Sequence, residues 1–96
     1  MSGGHFEYSQ YQIRNIADEI ESVIENNYKE KPLKDRWNAD DIYRYAYPDD
    51  VISEFKNAVK SLRIAEVYAQ RVDWLLSGDD GEETFHERLK EDLSKL

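Results

Sequence analysis

A chain of 96 residues has room for one hydrophobic core and not for two, so a single folding unit spanning 1–96 is expected. Charged residues make up 35% of it and leave a net charge of −8, which suits a well-solvated helical protein and sets aside the broad basic face of backbone-driven nucleic-acid binding. The lack of cysteine excludes a disulfide framework and thiolate chemistry, and no stretch reaches the roughly 20 apolar residues of a membrane span.

The opening MSGGHFEYSQ has no basic segment followed by an apolar run, so no signal peptide is expected, the location is read as cytoplasmic, and residues 1–8 are read as extended or flexible. In YSQYQIRNIADEIESVIENN, Ile13, Ile16, Ile20 and Val23 recur at helical spacing, with Ala17 and Ile24 beside them. The pattern predicts a helix that begins near Gln10. Ser9 and Gln12 suit a capping box, Tyr8 suits a staple against Ile13, and Asn26-Asn27 suit a left-handed closure.

YKEKPLKDRW reads as a connector loop over 28–37, with Leu33 and Trp37 as its anchors. In NADDIYRYAYPDD, Asn38 followed by Asp41 is a cap pattern that predicts a short helix through about Tyr45. The alternation of Ile42, Arg44 and Ala46 with Tyr43, Tyr45 and Tyr47 is a strand signature instead. Helix is expected because no partner strand is evident elsewhere in the chain.

Pro48 suits a first helical position, and Asp49 and Asp50 complement the positive end of a helix running over about 48–77. Along it Phe55, Ala58, Leu62, Ala65, Ala69, Val72 and Leu76 keep a heptad seam, in which the alanines admit a partner helix at close range. A second stripe, Ile64, Val67, Tyr68, Trp74 and Leu75, occupies only the C-terminal half. A helix of that length extends roughly 43 Å, more than a compact domain of this size covers, so it bends or another chain covers it. Gly78 then closes the helix, and Asp80 with Glu83 reads as a cap pair for a last helix carrying Phe85, Leu89, Leu93 and Leu96. The fold class is all-α, a small bundle of about four helices around one long central helix.

SGDDGEE, residues 77–83, is the sharpest candidate for a site. An EF-hand register anchored on Gly81 or Gly78 places Leu76 first or Leu75 third, where oxygen ligands are required, so the joint Gly78, Asp80 and Glu83 is read as structural. His5 and His86 have no zinc-ligand partner at helical spacing, and Glu82 with His86 reads as a surface ion pair. No strained nucleophile turn or glycine-rich oxyanion loop is present, so no enzymatic activity, cofactor or metal is expected.

Tyr8, Tyr11, Tyr43, Tyr45 and Tyr47, with Arg14 and Arg44, form a candidate interaction surface, either for a protein or as a stacking platform for a nucleotide-like ligand; the plainer reading of the rings is that they cap the edge of a small helical core. Phe55, Ala58, Leu62, Ala65 and Ala69 form a candidate self-association seam. Asp18, Glu21, Glu25, Asp40, Asp41, Asp49 and Asp50 form a candidate acidic face, which a decoy imitating nucleic acid would use and which otherwise reads as a solvated helix face.

The segments MSGGHFEY and DWLLSGDDGEETFHERLKEDL resemble those of small bacterial and bacteriophage proteins with a Met-Ser-Gly-Gly-aromatic start and a Trp-containing helix running into an acid-glycine turn. The resemblance covers both ends and not residues 28–50. It implies a mobile-element or host-accessory protein in a bacterial cytoplasm, one that acts by binding rather than by catalysis. A protein partner or a second copy is the expected ligand, and composition adds the expectation of no membrane and no direct nucleic-acid contact.

Overall fold

The computed structural model describes residues 6–96; the Met-Ser-Gly-Gly start and His5 lie outside them. The described chain is all-α, with three helices: α1 (Gln10–Asn26), α2 (Asp49–Leu76) and α3 (Glu82–Ser94). One 3-10 turn, Leu33–Asp35, breaks the connector between α1 and α2. The expected fourth helix is absent.

Residues 38–47 form no helix: 38–40 make a turn and the residues after it run back as one arm of a hairpin, because the connector itself supplies the missing partner strand. Tyr28 donates its N–H to the Tyr45 carbonyl at 2.8 Å, Lys31 donates to that of Ile42 at 2.7 Å, and Glu30 bridges Tyr43 in antiparallel sense. The tyrosine alternation was therefore a strand signal. Asn38 and Asp41, expected to cap a helix, instead close the hairpin: Asn38 Oδ1 accepts from Asp40 N–H, and the Asp41 carboxylate accepts from Trp37 N–H and Lys31 Nζ.

The ends of α1 differ in the same way from the expectation. Ser9 makes no capping bond, since its φ of −60° and ψ of −25° are already helical and a cap residue needs an extended backbone. Residues 6–8, expected to be extended or flexible, form a tight turn in which Glu7 and Tyr8 have positive φ. Tyr8 lies beside the Tyr11 ring and is 55% exposed. At the other end Asn27 is extended, and Tyr28 holds the left-handed conformation at φ 60°. The Asn27 side chain is committed elsewhere, donating to the Tyr47 carbonyl and accepting from the Tyr47 N–H.

α2 follows its sequence signals closely. Pro48 stands just before the first turn, accepting from Val51 and Ile52, and Gly78 has a φ of 82° two residues past the end. α1 lies antiparallel against it through a ladder of polar pairs: Gln10 with Gln70 and Asp73, Arg14 with Glu66, and Arg63 with Asp18 and Glu21. α3 folds back onto the C-terminal part of α2, where Arg71 binds Asp92 at 2.6 Å.

α1 and α3 do not touch one another. They flank α2 as a single layer, and the molecule measures 59 × 29 × 15 Å. Among the described residues Ala17 is the only apolar side chain in the fully buried class. The compact bundle expected from the sequence is thus an open, one-layer arrangement, whereas stable domains stack at least two layers around a core.

Candidate interaction surfaces

The acidic turn is built inward. Asp80 does not cap α3; Gly81 stands at that position, with no side-chain capping bond. The Asp80 side chain is only 3% exposed and faces Arg71 at 3.7 Å and Arg88 at 3.6 Å, close enough for charge attraction but too long for hydrogen bonds. The N–H groups of Asp79 and Asp80 both reach the Trp74 carbonyl, and the Arg71 guanidinium lies 4.5 Å over the Trp74 ring. Two arginines therefore neutralise the buried carboxylate. Glu82 and His86 form no ion pair; His86 stands edge-on to Phe85, which with Leu75 lines a shallow cavity. Among the described residues no cluster of three or more His, Asp or Glu is placed to hold a metal ion.

The tyrosines separate into two groups. Tyr8 and Tyr11 lie at the start of α1, beside the α2 residues Gln70 and Asp73, and Arg14 there is spent on Glu66 and on the Tyr11 ring at 5.1 Å. Tyr43, Tyr45 and Tyr47 belong to the hairpin at the opposite end of α2, where Tyr47 meets Phe55 edge-on at 5.3 Å and Tyr43 meets Tyr28 at 5.4 Å. Residues 47 and 73 stand roughly 35–40 Å apart along the helix. One chain therefore does not assemble the seven residues into one ligand platform. Arg44 shares a polar cavity of about 240 Å³ with Ser22, Asn26, Lys29, Lys31 and Tyr45.

The acidic face is partly consumed within the chain. Asp18 and Glu21 both bind Arg63, at 2.7 and 3.0 Å, and these bonds raise the arginine pKa above its ordinary value. Asp41 binds Lys31 at 2.6 Å; that bond, followed by the one from the Trp37 N–H, holds its carboxyl below the usual range. Glu25, Asp40, Asp49 and Asp50 remain exposed. These four are what is left to imitate a nucleic-acid backbone.

Leu33 and Trp37, read from the sequence as anchors, are 80% and 93% exposed. Polar bonds hold the connector instead, from Lys31 to Asp41 and from Arg36 Nε to the Lys31 carbonyl. A feature not singled out from the sequence is Asp73, buried to 2%, which accepts from the Phe6 N–H and from Gln10 Nε2 and so ties the start of the described chain to α2. Its signal was positional: Glu66, Gln70 and Asp73 share one helical stripe, the one turned toward α1.

The self-association seam lies along the edge of that stripe. Phe55 is engaged by Tyr47, and Ala69 borders an apolar cavity of about 330 Å³ with Phe6, Ser9, Gln10 and Ile13. Ala58 and Leu62 are half-buried, Ala65 is exposed, and Tyr68 and Leu76 keep 45% and 55% of their surface. A strip of α2 between its two neighbours is thus uncovered. No protein-family model, curated protein or solved structure matches this chain.

Proposed function

We propose that this chain is a non-enzymatic interaction protein, of phage or prophage accessory type, that acts by protein–protein association and whose folded unit includes a second copy of itself. The one-layer arrangement carries the reading. An accessible surface of 7214 Å² compares with roughly 5,800 Å² for a compact monomer of this mass. The radius of gyration is 18.6 Å, against roughly 12–13 Å for a compact chain of this length. Subtracting an upper bound of roughly 700 Å² for the five residues outside the described range leaves an excess of roughly 700 Å². That is about the area each partner contributes to a standard stable interface. The accessory context rests on the resemblance of the two end segments.

Light scattering across a concentration series tests the reading. A dimer or larger closed assembly at low micromolar concentration is the expected result. A strict monomer at high micromolar concentration, folded by circular dichroism, overturns it.

A further inference from the structure

We infer that two copies pair antiparallel through α2, with Ala65 on the two-fold axis. The inference rests on the self-association reading above and adds its geometry. α1 occupies the side of α2 that carries Arg63, Glu66, Gln70 and Asp73, while α3 occupies the side that carries Arg71 and Leu75. What remains between them is the line Ala58, Ala65 and Val72, seven residues apart, flanked by Ser61, Tyr68 and Leu76. Small residues along that line let two helix axes approach closely.

Three observations select the second copy and its direction. The excess surface per chain matches what one symmetric partner removes, and an isologous contact closes on itself without leaving a further apolar face. Residue sizes complement one another when α2 is reversed about Ala65: Ala58 then faces Val72, Leu62 faces Tyr68, and Ser61 faces Ala69. The antiparallel arrangement sets residues 79–81 of one copy opposite residues 49–51 of the other, so acidic groups meet in either direction and charge does not choose between them. The helix dipoles do, since antiparallel pairing opposes them.

The chain has no cysteine, so single substitutions report the pairing directly. Disulfides form only where Cβ atoms come to about 3.5–4.5 Å. Ala65→Cys alone is expected to give a covalent dimer under mild oxidation, while Ala58→Cys and Val72→Cys alone remain monomeric in denaturing electrophoresis. Co-refolded, those two are expected to give a mixed covalent dimer. Self-crosslinking of all three establishes parallel pairing and overturns the inference while leaving self-association intact. A dimer by light scattering in which none crosslinks, with helix content retained, places the interface elsewhere and also overturns it. A monomer removes the underlying reading instead. Ala65→Arg supplies an independent check, since a charge on the two-fold axis is expected to weaken dimerisation at least tenfold without loss of helix content; unchanged association overturns the inference.

Discussion

Each joint of this molecule carries a tryptophan nearby, and the two could hardly be placed more differently. Trp74, before the acidic turn, is half-buried under the Arg71 guanidinium, and its carbonyl collects the N–H groups of Asp79 and Asp80. Trp37, in the connector, has 93% of its surface in solvent and is held in place by a bond from its backbone to Asp41. Both segments are acidic, polar and interrupted by turn residues. What separates them is the presence of arginines on the flanking helices: Arg71 of α2 and Arg88 of α3 converge on Asp80 and draw the turn inward, whereas the connector's one ion pair, Lys31 with Asp41, lies within the connector itself.

The largest effect expected from this contrast comes from exchanging the tryptophans in turn. Trp74→Ala is expected to destabilise the chain by roughly 2–4 kcal/mol, somewhat less than a fully buried aromatic because the ring is only half-buried. Trp37→Ala is expected to stay within about 0.5 kcal/mol of the parent, as for other exposed substitutions. Urea unfolding of the two variants side by side checks this, and comparable losses would mean that the connector packs against something, a second copy included.

Next in size is Asp80→Ala, at roughly 1–3 kcal/mol, because it removes a buried acceptor of charge and leaves Arg71 facing Asp92 alone at that site. The loss is expected to be the same in calcium and in chelator. A calcium-dependent rise in melting temperature that disappears in the variant would restore the turn as a metal site. Gly78→Val follows at about 1–2 kcal/mol, since a side chain there has open space but must adopt a φ near 82°. Its cost is therefore one of backbone conformation and not of crowding, so Gly78→Asn is expected to recover most of it.

How much of this was legible depends on where the deciding partner sat. α2 was readable almost to the residue because its signals are local: a proline before the first turn, two aspartates within it and a glycine two residues past the end. The hairpin was misread because its partner strand, 28–31, carries no alternating pattern; it is identified only by backbone bonds to residues 42–45. Ser9 and Asp80 show a related failure. Each has the right side chain for a cap, yet Ser9 is already helical and Asp80 is engaged by arginines reached only after the chain folds back. The seam was visible as a heptad, but that half of it would be left open while polar residues faced α1 was set by the direction in which α1 returns.

The smallest effect concerns the connector alone and is a matter of pH. Asp41 is held below the ordinary carboxylate range mainly by the hydrogen bond from Lys31, and next by that from the Trp37 N–H. A carboxyl whose folded pKa lies below its unfolded value, about 3.9, contributes its full stabilisation above that value. The contribution is lost as pH falls through the lowered folded pKa, where protonation releases Lys31 and the Trp37 amide together. The Trp37 amide resonance is therefore expected to titrate with a midpoint below about 3.9. Asp41→Asn should abolish the Trp37 transition and increase exchange at that amide already at neutral pH. Added salt should move the parent midpoint upward, since the pair lies near the surface and its charges are screened. A midpoint at or above 3.9 would mean that Lys31 does not hold Asp41 in solution, and the hairpin would then rest on its backbone bonds alone.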